Sequence, residues 1–150
     1  MRMHEHPATP THASKRELRL RARVAKVAEE GDRLIAWTQA WVSREGRLHA
    51  FAARTFDYVA VTERELLIFS TGFFSRRPRR LVFAAPLDVL RVADPAPARG
   101  RLLVVHRPRQ RPLRLEMRGD RHSVLVCTTL SSRVGPPDER DSTDGGSEPA

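Results

Sequence analysis

The chain has 150 residues, a formal net charge of +9, 40% hydrophobic residues and one cysteine. That length holds one ordinary domain with one core, and the lone Cys127 excludes an intramolecular disulfide. No stretch approaches the roughly 20 apolar residues needed to span a bilayer, and the N-terminal MRMHEHP lacks the apolar run of a signal peptide, so the expected setting is a reducing cytoplasm.

Residues 1–13 hold two prolines, three histidines and few apolar residues, the composition of a disordered arm. His4, His6 and His12 lie on that arm without the fixed geometry a stable metal site needs, so no metal or other cofactor is expected. Ser14 then has the character of an N-cap, with Glu17 three residues on and Gly31 as the stop. The helix between them, 14–30, is amphipathic: Leu20, Val24, Val27 and Ala28 share a stripe, with Arg16, Arg19, Arg23, Lys26 and Glu30 mostly elsewhere. So narrow a stripe suits docking on a domain or a partner helix better than insertion into lipid.

A first strand is expected over 34–43, with Ile35, Trp37, Gln39 and Trp41 on one face and Leu34, Ala36, Thr38, Ala40 and Val42 on the other. The tryptophans read as packing residues in preference to a base-stacking platform. Glu45 and Gly46 give a turn, and a second strand or strand-bulge-strand runs over 48–61. The stretch 56–72, FDYVAVTERELLIFSTG, is the centre of the pattern: two alternating strands joined by a polar turn at 62–65, with one wetter and one drier face.

Arginines 76, 77, 79 and 80 surround Pro78, which points to a loop or a sheet edge. A fourth strand is expected over 81–84, a break at Pro86, and a fifth strand through Leu87, Val89, Leu90 and Val92. After a turn at 94–100 come strands over 102–106 and 113–117, joined by a second arginine-rich loop at 107–112. Asp120 caps a final helix that ends near Arg133, in which Cys127 reads as a small buried apolar residue. Residues 134–150 read as a disordered acidic tail.

The expected fold is therefore mainly β (α+β): about seven strands, a C-terminal helix and an additional N-terminal amphipathic helix. The domain proper is assigned to 31–133. Val59, Val61, Leu66, Ile68, Leu81, Leu87, Val89, Leu103, Val105, Leu113 and Leu115, with last-helix residues, form the expected core.

The runs GDRLIAW at 31–37, VTEREL at 61–66 and APLDVLRV at 85–92, followed by the closing helix, resemble the bacterial pleckstrin-homology-like families, especially the uncharacterised actinobacterial type. Those families usually carry arginine or another polar residue where Glu65 stands. The resemblance implies a partly open barrel of antiparallel strands, two sheets packed steeply, with the last helix closing the open corner. It also implies a binding function of open specificity, because the fold hosts lipid, peptide and protein ligands. In lipid-binding eukaryotic members a basic loop after the first strand holds inositol phosphates. The corresponding residues 43–47 offer two arginines, one acid and no lysine, so any anion site is expected elsewhere.

His49, His106 and His122 are scattered, and no nucleophile motif, phosphate loop or paired carboxylate is visible. Asp57 and Asp88 read as outward-facing. The expectation is a non-catalytic interaction module with a protein partner. The alternative is peripheral binding to an anionic membrane, with nucleic acid less favoured, through Arg76, Arg77, Arg79, Arg80, Arg107, Arg109 and Arg111 as loop-borne anion-binding residues. Lys15 and Lys26 are the only lysines, so the basic excess is arginine, which a GC-rich coding sequence would also produce.

Overall fold

The computed structural model describes residues 13–44, 55–72, 76–93 and 99–137. The proposed arm, most of the acidic tail and the expected turn at 45–46 lie outside these residues, as does the first half of the second expected strand.

The first element is α1, Lys15–Val27. The Ser14 hydroxyl accepts the Glu17 N–H at 3.2 Å, while the Glu17 carboxylate pairs with Arg21 at 2.9 Å instead of closing a reciprocal box. The helix ends three residues before the expected stop, and Gly31 takes a φ of +86° in the turn that follows. Strand β1, Leu34–Arg44, pairs antiparallel with β2, Thr55–Thr62, which pairs with β3, Glu65–Thr71. The β2–β3 turn is built on Thr62, whose hydroxyl accepts the N–H groups of Arg64 and Glu65 and donates to Asp32 at 2.7 Å.

Strand β4 is Pro78–Pro86, longer at both ends than the expected 81–84, with Pro86 as its last residue and not a break beyond it. It forms one edge of the sheet, so Pro78, at its first position, costs no ladder hydrogen bond on the open side. The expected fifth strand divides into a 3₁₀ turn at Leu87–Val89 and a three-residue β5, Arg91–Ala93. Strands β6, Leu102–Arg107, and β7, Gln110–Glu116, form a tight hairpin with Arg109 at φ +57°. Asp120 then caps α2, Arg121–Arg133, by accepting the Ser123 N–H at 2.9 Å.

All seven strands belong to one continuous antiparallel sheet in the order β4-β3-β2-β1-β7-β6-β5. The expected pair of sheets is joined because β1 is long enough to serve both: its residues 34–42 meet β2 and its last four meet β7. The sheet is not closed, since β4 and β5 remain edges. It is nevertheless curled, because inward residues of every strand reach one core with Val126, Cys127 and Leu130 of α2. The edge of β5 is covered from the chain after α2, where the Gly135 carbonyl accepts the Val92 N–H at 3.1 Å.

The outer face differs most from expectation. In place of a wetter side, Tyr58, Ala60, Leu67 and Phe69 form a second apolar cluster with Trp37, sealed by Leu20 and Val24 of α1. Of the expected core, Leu81 is only partly buried beneath α1, and Val89 is exposed because the 3₁₀ turn points it outward. Asp57 corrects another expectation: it is buried, where it accepts the Thr55 hydroxyl at 2.6 Å. Burial pushes its carboxyl upward, opposed by bonds from Thr55 and the Thr71 backbone.

Two outcomes follow from this packing. Leu20→Ala removes a fully buried side chain from the outer cluster and is expected to cost about 2–5 kcal/mol by urea denaturation, whereas Leu18→Ala, at an exposed position of the same helix, leaves the midpoint nearly unchanged. Asp120→Ala removes the α2 cap and should cost about 1 kcal/mol at pH 7. Burial alone would raise the Asp120 carboxyl, but bonds from the Ser123 backbone and hydroxyl, with His122 and Arg118, hold it below its ordinary 3.8. The cap's ionic contribution is thus present above that value and lost as pH falls through the lower folded value. The stability gap between wild type and variant should narrow in acid.

Candidate anion-binding surface

Docking of α1 decides where its charges go. With Leu20 and Val24 turned into the sheet, the residues at 16, 19, 23 and 26 follow one another at spacings of three, four and three, along one side of the buried stripe. Arg23 and Lys26 line a groove of about 540 Å³ with Arg79 and Arg80, over a floor of Phe69 and Leu81.

Tyr58 fixes the other end of this surface. Its ring lies in the outer cluster, and its hydroxyl donates to the Arg76 carbonyl at 2.5 Å, tying the segment before β4 to the face beneath α1. Burial raises the Tyr58 hydroxyl's pKa, and the positive charges of Arg16, Arg19 and Arg76 act against that rise. None of Arg16, Arg19, Arg23, Lys26, Arg76, Arg77, Arg79 and Arg80 forms a salt bridge among the described residues. Such a run of uncompensated cations repels itself and attracts any anion that approaches.

The seven arginines expected from sequence are divided by the fold. Arg79 and Arg80 are strand residues, as are Arg107 and Arg111. The loop-borne description therefore fails for these four: Pro78 begins a strand at the sheet edge, and the second basic loop contracts to the turn at Pro108 and Arg109. Arg107 lies over the Phe83 ring at 5.0 Å and donates to the Arg111 carbonyl at 3.1 Å. Phe83 packs against the inner core, whereas Arg79 and Arg80 join α1 on the outer side.

The cations missed at sequence level are those of α1. Their signal was the 16, 19, 23, 26 spacing, which gains meaning only when the direction of the neighbouring strand is known. Trp37 is buried in the outer cluster, and Trp41 packs against Phe56 at an interplanar angle of 51°, with centroids 5.0 Å apart. Cys127 is buried in the inner core. Among the described residues no group of three or more His, Cys, Asp or Glu side chains is arranged to hold a metal ion, and no helix is long and apolar enough to cross a membrane.

A curled seven-stranded antiparallel sheet with a C-terminal helix packed into its open side is a pleckstrin-homology-like fold. Solved structures of Vav1 share it. An apo structure of its activated truncation superposes with a TM-score of 0.54 at 11% identity, over 78% of this chain and 32% of that one. A structure of Vav1 with an allosteric inhibitor gives a TM-score of 0.51 at 10% identity, over 82% and 29%. This chain thus spans about a third of the Vav1 chains it matches, and the likeness is one of fold. No protein-family model and no curated protein sequence matches it.

Proposed function

We propose that the chain is a non-catalytic interaction module of pleckstrin-homology-like fold whose ligand is an anionic membrane surface, engaged peripherally from the cytoplasmic side. The observation that carries this reading is the alignment of Arg16, Arg19, Arg23 and Lys26 of α1 with Arg76, Arg79 and Arg80, without a carboxylate among the groove's lining residues. An extended row of cations suits a surface of many anionic headgroups better than a single deep ligand. Each such residue near an acidic bilayer contributes about 1 kcal/mol, and salt weakens it.

The protein-partner reading has less support. The α1 stripe is taken up by the outer cluster, so the open edge of β4 is the remaining surface for strand addition. Pro78 and Pro86 end that strand, and two register shifts interrupt its ladder, features that blunt an edge against pairing. Nucleic acid would meet the same cations, but Trp37, the large aromatic under α1, is buried and presents no stacking face along the row.

The domain should sediment with vesicles containing acidic lipid at low ionic strength, be released as salt rises, and ignore neutral vesicles. Replacing Arg23, Arg79 and Arg80 together by Glu should weaken binding by about a hundredfold or more. The unfolding midpoint should stay in place, because exposed charges contribute little to folding. Replacing Arg109 and Arg111 by Glu, in the β6–β7 hairpin, should have the smaller effect. Equal loss in both variants, or binding to duplex DNA in preference to acidic vesicles, defeats the reading.

A further inference from the structure

A second cavity, of about 410 Å³, lies between the first turns of α1 and α2, lined by Lys15, Arg16, Trp37, Gln39, Arg118 and His122. Three permanent cations converge there, and none is in a salt bridge among the described residues. Arg118 rests its guanidinium 5.6 Å from the centre of the Phe56 ring, which positions the group without neutralising it.

The acid in the lining, Asp120, is committed. Its Oδ1 accepts both the N–H and the hydroxyl of Ser123, at 2.9 and 2.8 Å. That hydroxyl in turn accepts from Thr38 at 3.1 Å, which fixes the inner wall. Ser14 is likewise occupied, as the cap of Glu17. With both capping side chains engaged internally, the cavity offers a ligand the side chains of one lysine, two arginines and a histidine. Its floor is aromatic: Trp37 is only 9% exposed and packs against His122 at an interplanar angle of 37°, with centroids 4.4 Å apart.

We propose that this cavity binds a phosphate monoester carried on a small apolar or aromatic body. The volume lies within the range of small-ligand sites, roughly 300–1,000 Å³. Three cations against one committed carboxylate match the roughly −1.5 to −2 charge of a phosphate monoester near neutral pH. Guanidinium groups are suited to phosphate because two N–H bonds run in parallel to two oxygens, and the Trp37 and His122 side chains in the lining give the organic portion an apolar contact. The proposal goes beyond the membrane reading and stands without it: the β4 groove and this cavity share no lining residue, and Arg16 is the member of the cation row that lies in the cavity.

Phenyl phosphate is the probe. In a Trp41→Phe background Trp37 is the sole tryptophan, and its fluorescence should change saturably on titration, with inorganic phosphate competing. Arg118→Gln, at an exposed position, should weaken binding by about tenfold or more, while the double change Arg79→Gln and Arg80→Gln leaves it unchanged. Vesicles of phosphatidic acid that displace phenyl phosphate identify the natural source as a lipid headgroup. Vesicles that do not displace it identify a soluble molecule. Absence of a saturable signal, or equal affinity in Arg118→Gln, overturns the proposal. Vesicle sedimentation by the β4 groove is read separately, so either site can fail alone.

Discussion

A sheet that is apolar on both faces cannot stand in water on either, and this constraint organises the molecule. Along β2 and β3, Val59, Val61, Leu66 and Ile68 point inward while Tyr58, Ala60, Leu67 and Phe69 point outward, and all eight are buried. Curling the sheet hides the first set, with α2 filling the opening. The second set needs a separate cover, and α1 supplies it. Apolar surface removed from water stabilises at about 25 cal/mol per Å², so the outer cluster adds to the stability the larger inner one gives, although a helix outside the curled sheet provides its cover.

The same docking sets the electrostatics. Orienting Leu20 and Val24 inward leaves α1 no freedom over where its arginines lie, so packing rather than pairing assembles the basic row. Acidic residues gather at another site: Glu29, Asp32, Glu63, Glu65 and Asp88 line a groove with Arg64 and Arg133. Its one ion pair among the described residues, Glu29 with Arg64 at 2.7 Å, is exposed on both sides, and such pairs contribute little to stability. Charge of the two signs is thus separated over the surface. A molecule so polarised approaches an anionic plane in a preferred orientation.

Much of the fold was legible because period-2 runs, a proline at an edge and two side-chain caps each have a local physical cause. The β2–β3 hairpin, the Ser14 and Asp120 caps and the burial of Cys127 are of this kind. What was not legible depended on neighbours. Strands β2 and β3 looked half-wet because nothing in their own residues says that a helix 30 or more positions earlier will lie on them. Asp57 looked outward-facing because its partners, Thr55 and the Thr71 backbone, are recruited by the pairing of strands. Arg79 and Arg80 looked like loop residues because charge density in sequence does not distinguish a loop from an exposed edge strand. The basic surface was half-read for the same reason: its α1 portion becomes a partner of β4 only in three dimensions.

Strand β4 serves both apolar clusters in spite of its register shifts. Ile68 faces Phe83 and Phe69 faces Leu81, leaving Val82 as an extra residue, exposed at the edge. Leu81 thereby packs outward under α1 while Phe83 packs inward and carries Arg107 on its ring. In a regular strand two residues so spaced would share a face. The bulge at Val82 therefore absorbs one extra residue: without Val82, Leu81 and Phe83 would be adjacent and would still face opposite sides by ordinary alternation, each in its present cluster. The edge thus carries a one-residue insertion without exchanging the contents of the two clusters, because the shift in pairing restores the facing of every residue beyond it.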